Sequence, residues 1–184
     1  MLKITVPKTE EGWNAKLNEF INLKEDITIC LEHSLVSISK WESKWQKPFL
    51  SNNKKTQEEL IDYIRCMTIS QNVPEEAYYL LTNENYKAVN EYIQSPMTAT
   101  TFTDNKRYSN PFRKNEVLTS EIIYYWMVTF QIPWECQKWH LNRLMTLIKV
   151  CSIKNDPKKM SKKETMANNR ALNEARRKQY HTKG

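Results

Sequence analysis

Near the N-terminus, the apolar residues change from an alternating to a helical spacing. Residues 2–6 (LKITV) and 26–33 (DITICLEH) are short runs, and the second alternates apolar with polar side chains. Alternation of this kind predicts strands with one buried face, and residues 13–25 between them can add another strand. From Ser34 onward apolar residues recur at steps of three and four, which predicts helices.

Helix start signals support this division. Ser34 stands where an N-cap is expected, directly before the first helical run. Thr56 with Glu59, and again Ser161 with Glu164, have the spacing of a capping box, in which each side chain satisfies an unpaired amide at a helix start. We therefore expect helices to begin at all three places.

The second half of the chain contains a loop and the most apolar segment. Residues 95–118 show no periodicity and are rich in Thr, Asn and charge, which predicts a connector. Residues 119–131 predict a largely buried helix, and Pro133 opens a pattern that extends to Cys151, a helix of about five turns. The sequence predicts an α+β, mainly helical fold: a small N-terminal antiparallel sheet or hairpin, a helical bundle and a basic C-terminal helix.

Glycine and charge are unevenly distributed. Only Gly12 and Gly184 occur, which excludes the glycine-rich loops that bring a backbone close to phosphates. Residues 154–184 contain ten Lys and Arg against three acids and so hold the entire formal charge of +7, while residues 1–153 are neutral. We therefore predict one globular domain over 1–153, β-rich in 1–32 and helical in 34–153, and a basic helical tail over 154–184.

The basic tail has three interpretations. It is a solvated helix that keeps the protein in solution, an element that folds onto a protein partner, or a contact for nucleic-acid phosphates. Its candidate contact residues are Lys158, Lys159, Lys162, Lys163, Arg170, Arg176, Arg177 and Lys178. The tail has one aromatic residue, Tyr180, which favours the first two interpretations over the third.

Cysteine spacing and hydropathy indicate the compartment. The four cysteines are far apart in the sequence and lie in apolar runs, so no pair has the spacing of a metal knuckle or a redox motif. The chain begins without the apolar core of a signal peptide, and no apolar run reaches the roughly 18 residues of a membrane span. We expect a cytoplasmic protein with buried free thiols, no membrane contact and no cofactor.

One stretch, residues 132–144 (IPWECQKWHLNRL), has the residue types of a catalytic or metal site. Cys136 and His140 are four residues apart, and a continuous helix would place them together on the flank of its core face. A zinc site needs at least three protein ligands, and none of His33, Cys30 and Cys66 is a local partner. A Cys–His nucleophile also needs an orienting group. We therefore predict no catalytic, metal or cofactor site and no enzymatic activity.

Tryptophan positions suggest a surface of another kind. On the same helical wheel Trp139 and Arg143 face away from the core, so that either another element of the chain covers them or they anchor a protein partner. Trp41 and Trp45 leave the same two alternatives, and a core position is the first interpretation for both. Trp139, Arg143, Trp41 and Trp45 are the candidate interface residues.

Several phrases resemble one group of phage proteins. EHSLVSISKWESKWQKPF, EELIDYIRCMT, PMTATTF, EIIYYWM, IPWECQKWHLNRLMTLIKVC and NEARRKQ together resemble the tail assembly chaperones of tailed bacteriophages, over most of the chain. The resemblance implies a small non-enzymatic factor of the host cytoplasm that shields the long helical tape measure protein and recruits tail tube subunits. It transfers no active-site residues and leaves homo-oligomerisation open. A nucleic-acid-associated phage factor and a minor structural virion protein are the alternatives.

Overall fold

Four strands at the N-terminus form two small antiparallel sheets. The computed structural model describes residues 1–14, 18–51, 53–102, 117–155 and 162–181. The strands are β1 (Leu2–Val6), β2 (Thr9–Asn14), β3 (Glu19–Leu23) and β4 (Ile27–Leu31). β1 pairs with β4, and the β2–β3 hairpin is inserted between them in the chain. The predicted strands over residues 2–6 and 26–33 are confirmed, and the intervening segment contributes the hairpin.

The hairpin lies against the helical part of the protein at Gly12. A Cβ atom built on Gly12 would lie 2.2 Å from Cδ2 of Leu80 and 3.2 Å from the carbonyl oxygen of Ile21. Glycine fits here because a Cβ would overlap that leucine methyl and force the end of the Leu80 side chain to shift. Successive strand residues face opposite sides, and Trp13 and its cross-strand partner Phe20 are accordingly exposed.

The remaining regular elements of the described chain are helices, which confirms the mainly helical α+β class. They are α1 (Leu35–Trp45), α2 (Gln57–Met67), α3 (Glu75–Tyr79), α4 (Asn83–Gln94), α5 (Ser120–Thr129), a 3-10 helix (Trp134–Lys138), α6 (Leu141–Asn155) and α7 (Lys162–Tyr180). Ser34 caps α1 and pairs reciprocally with Ser37, and Thr56 and Glu59 form the predicted capping box of α2. Both local predictions are confirmed.

The buried core joins the β1–β4 sheet to α1, α2, α5 and α6. Its largest fully buried apolar and aromatic side chains are Val6, Ile29, Leu31, Leu35, Ile38, Trp41, Tyr63, Met67, Ile123, Met127, Leu144 and Ile148. Within the described residues, α7 contributes none of the buried side chains. The core is therefore complete before the C-terminal helix begins.

A buried carboxylate connects α1 to the start of α5. Glu42 accepts hydrogen bonds from the backbone N–H of Phe49 at 2.8 Å and of Ser120 at 2.7 Å, one on each oxygen. The N-cap residue of α5, Thr119, makes no capping bond with its own side chain. Glu42 therefore replaces a local cap, and its negative charge lies where the dipole of α5 favours an anion. This contact fixes where α5 begins on the body.

The predicted five-turn helix from Pro133 to Cys151 is wrong, because the structure breaks it after Lys138. Trp139 has extended backbone angles, with φ −70 and ψ 160, between the 3-10 helix and α6. At the break the N–H of Leu141 donates to the carbonyl oxygen of His33 at 2.7 Å, and a β-bridge joins His140 to Ser34. Pairing with the β4–α1 junction has thus replaced helical hydrogen bonds at this point.

Several predictions concern residues near or beyond the ends of the described segments. Residues 95–102 and 117–118 contain neither helix nor strand, as expected for a connector, while residues 103–116 lie outside the described residues. Ser161 of the predicted Ser161–Glu164 capping box also lies outside them. α6 extends to Asn155, so the predicted domain boundary at 153/154 falls inside its last turn. Among the helices that are described, none is both long and apolar enough to cross a bilayer.

Candidate protein-binding surface

The solvent side of α5 carries large apolar residues beside the exposed Glu121 and Thr129. Ile123 and Met127 are buried in the core, whereas Tyr125 and Val128 on the other side are 66% and 62% exposed. The prediction that this segment is largely buried is therefore wrong for one of its faces. A monomeric surface helix normally carries polar residues there, so the exposed face of α5 calls for a functional explanation.

The 3-10 helix extends this apolar face. Trp134 is 54% exposed, and its ring lies 5.7 Å from that of Tyr124, measured between centroids. The hydroxyl of Tyr124 donates to Oε1 of Gln137 at 3.0 Å, which holds the tyrosine ring beside the 3-10 helix. On a wheel of about 100° per residue, Val128 falls between Tyr124 and Tyr125. Tyr124, Tyr125, Val128 and Trp134 therefore form one continuous patch, which we call the aromatic surface.

Charged residues stand at the edge of the aromatic surface. Glu121 precedes Tyr125 by one turn on the same side of α5, and Glu135 and Lys138 follow Trp134 on the 3-10 helix; all three are exposed. An apolar centre with a charged rim is the usual arrangement of a protein–protein interface. Tyrosine and tryptophan are also the residues most enriched in binding hot spots.

A second exposed aromatic pair lies on the hairpin. The rings of Trp13 and Phe20 pack edge to face with their centroids 5.0 Å apart. Such cross-strand pairs stabilise a two-stranded ribbon by themselves, so the pair has a structural role without a partner. It provides a matched control for experiments on the aromatic surface.

The structure places Trp41 and Trp45 in structural roles. Trp41 is fully buried, and its indole N–H donates to the carbonyl oxygen of Glu59 at 2.9 Å. Trp45 stacks on Trp41 with centroids 6.1 Å apart and donates from Nε1 to Oδ2 of Asp62 at 2.8 Å. Neither residue belongs to the aromatic surface.

Trp139 and Arg143 are close to each other, although not through the predicted helical wheel. Trp139 is half-buried against the core, and the guanidinium of the exposed Arg143 lies 4.1 Å from its ring centroid. A cation at this distance over an indole is a stabilising cation–π contact. The arginine therefore covers one face of the ring, so that Trp139 presents less free apolar area than Trp134.

The side chains considered for a catalytic or metal site, Cys136, His33 and His140, are buried and electrically neutral. Burial raises the pKa of the Cys136 thiol, and Glu135 raises it further. Burial lowers the pKa of His33 to about 3, with a smaller contribution from His140, and burial also lowers the pKa of His140. The thiol therefore stays protonated and both imidazoles stay neutral at ordinary pH, which is the reverse of an activated Cys–His pair.

The two histidines are held by hydrogen bonds to structural partners. His33 Nδ1 lies 2.5 Å from Oη of Tyr63. His140 accepts at Nδ1 from the N–H of Asn142 at 3.3 Å, so its Nε2 carries the proton and donates to the carbonyl oxygen of Tyr92 at 3.0 Å. Among the residues that the structure describes, no three His, Cys, Asp or Glu side chains come together as a metal site.

Part of the basic tail can be placed. Lys163, Arg170, Arg176, Arg177 and Lys178 are exposed along α7. Lys162 is the first residue of α7, and Lys158 and Lys159 lie outside the described residues. The tail residues and the aromatic surface are thus carried by different elements.

Sequence reasoning missed the aromatic surface because α5 has few polar residues and its apolar residues are not confined to one face. A helical wheel identifies a core face only where polar residues mark the opposite face, and α5 has no such contrast over Tyr124, Tyr125 and Val128. An available signal was that a helix without a polar face has to be covered on both sides.

Comparison of the chain with protein-family models, curated proteins and solved structures found no match.

Proposed function

We propose that the protein is a tail assembly chaperone of a tailed bacteriophage. It acts without catalysis in the host cytoplasm, where it binds helical segments of the tape measure protein and tail tube subunits before the tail is assembled. The observation that carries the proposal is the aromatic surface, a solvated patch of three aromatic rings and a valine on an otherwise ordinary body.

The chemistry of the surface fits a helical client. An amphipathic helix binds by laying its i, i+3, i+4 and i+7 side chains on an apolar surface. Tyr125 and Trp134 can each bury a large ring at a small conformational cost, because aromatic side chains have few rotatable bonds. Such contacts are weakly specific, which suits a client whose apolar stripe repeats over a great length.

The test measures client binding directly. The client is a fluorescein-labelled segment of the tape measure protein, whose long helical reading frame the proposal expects beside this gene, and binding is followed by anisotropy. The surface variant combines Tyr125→Ser, Val128→Ser and Trp134→Ser, and the control variant combines Trp13→Ser and Phe20→Ser. Loss of hot-spot aromatics costs about 2 kcal/mol or more, so we expect the surface variant to bind about thirtyfold more weakly or worse.

The control variant should bind like the wild type, and salt should change the affinity little because the contact is apolar. Equal affinity of the surface variant and the wild type would refute the assignment. A gene neighbourhood without a long helical reading frame, or without a frameshift site near this gene's end, would count against the phage tail assignment itself.

Three further elements of the hypothesis concern partners. Light scattering of the purified chain tests whether it forms a homo-oligomer. Mass spectrometry of purified virions tests whether the protein stays in the particle, as a minor structural protein would and a chaperone would not. The alternative of a nucleic-acid-associated factor is favoured by one observation, the charge of residues 154–184. That observation leads to a separate inference about α7.

A further inference from the structure

α7 carries most of its described cations on one side. The four residues that define this basic face are Lys163, Arg170, Arg176 and Arg177, all exposed. At about 100° per residue they fall within an arc of about 140°. Asn169, Asn173 and Tyr180 are exposed within the same arc and add hydrogen-bond donors, while Glu174 stands at its edge.

The basic face has no partner in the described part of the chain. None of its four side chains forms an ion pair there, and α7 makes no extended packing contact with another described element. The opposite side of α7 is a half-buried stripe of Ala171, Leu172 and Ala175. The only large side chain of the stripe is Leu172, so that it offers little apolar area to a protein partner.

We propose that the basic face binds the phosphodiester backbone of nucleic acid without reading its base sequence. Lys163 and Arg177 are separated by about 21 Å along the helix axis, at about 1.5 Å per residue, so several backbone phosphates lie within reach. Three of the four cations are arginines, whose planar guanidinium donates two parallel hydrogen bonds to phosphate. An acidic protein is the other partner class, and the thin apolar stripe argues against it.

The experiment titrates the full-length protein against fluorescent nucleic acid of random sequence, one duplex of about 30 base pairs and one single strand of about 30 nucleotides. With four phosphate contacts, a plot of log K against log salt should have a slope of about −3.6 for duplex and about −2.8 for single strand. For duplex this means binding about 150-fold weaker at about 200 mM than at about 50 mM salt. The two slopes distinguish binding to the phosphates of a duplex from binding to those of a single strand.

Two variants of equal net charge locate the contact. The face variant combines Lys163→Gln, Arg170→Gln, Arg176→Gln and Arg177→Gln. The control variant combines Lys24→Gln, Lys40→Gln, Lys54→Gln and Lys87→Gln, which removes four exposed charges from the body. We expect the face variant to bind with a salt slope near zero and the control to bind like the wild type; circular dichroism verifies that α7 is kept.

Absence of wild-type binding at low salt, or equal weakening by both variants, would overturn the proposal. So would displacement of nucleic acid by polyglutamate at equal charge concentration, because the partner class would then be an acidic protein. The assay contains no client helix and leaves the aromatic surface intact. Its failure is therefore distinguishable from failure of the chaperone assignment.

Discussion

Acidification should destabilise the protein through its buried histidine pair. His33 is 2% exposed, and its ring lies 5.1 Å from that of His140. The groups that face the pair are Tyr63 from α2, Tyr92 from α4, and Glu32, which accepts from the Tyr92 hydroxyl at 2.7 Å and pairs with the amino group of Met1 at 3.1 Å. Within the described residues, the hydrogen-bond partner of the His33 ring is the tyrosine oxygen, so a charged imidazole would meet no carboxylate there.

The sign and magnitude follow from the pKa of His33. Its ordinary value is 6.5 and its folded value is about 3. The unfolded chain therefore binds the proton more tightly, so the stability contribution is complete above pH 6.5 and is lost as the pH falls through 6.5 toward 3. At pH 5, which lies about 1.5 pH units below the ordinary pKa, His33 is protonated in the unfolded chain but not in the folded one, and this lowers the free energy of unfolding by about 2 kcal/mol. His140 changes in the same direction.

Urea unfolding followed by tryptophan fluorescence at pH 7, 6 and 5, at constant ionic strength, measures this loss. The variant His33→Gln should be less stable at pH 7 but should lose less stability on acidification. His181, exposed beyond the end of α7, supplies the control: His181→Gln should keep the full pH dependence. If His33→Gln retained the wild-type pH dependence, the buried imidazole would not be its cause.

Three other outcomes follow from the structure. Glu42→Gln should lower the free energy of unfolding in urea by about 1–3 kcal/mol, because the single carbonyl oxygen of Gln cannot replace both carboxylate oxygens, and the N–H of Phe49 or of Ser120 loses its acceptor. An unchanged urea midpoint would contradict the role of Glu42 as the cap of α5. Gly12→Ala should cost about 1–3 kcal/mol by overpacking against Leu80, and a double-mutant cycle with Leu80→Ala should recover part of that loss. A chain truncated after Asn155 should still unfold cooperatively in calorimetry, since α7 adds nothing to the described core; a broad transition would show that α7 stabilises the body.

Local patterns were sufficient for the elements whose sequence signal is local, even where the partner is distant, as it is for β1 and β4. The strand alternation before Ser34 and the capping box at Thr56 depend on residues only a few positions apart, and both are confirmed. The break at Trp139 depends on a bond between Leu141 and His33, which are far apart in sequence. Nothing in the helical spacing of residues 133–151 indicates that bond.

The candidate surface was only partly predictable for a similar reason. The helical wheel selected Trp139 as an interface candidate, whereas Trp41, for which a core position was the first interpretation, is buried because α1 turns it into the core. Trp134 lies on a 3-10 helix that ends at Lys138, where the predicted five-turn helix is broken. The start of α5 is held by Glu42, whose partner Ser120 lies in a distant part of the sequence.

The bond between His33 and Leu141 joins an early part of the chain to a late part, and this has a consequence for folding during synthesis on the ribosome. The β1–β4 sheet, α1 and α2 leave the ribosome first, yet the side chains that complete their shared interior, Leu144 and Ile148, are among the last residues of the body to emerge. Until then the nascent chain holds an uncovered apolar interior. We therefore expect α6 to close the body in a late step of folding, before α7 emerges.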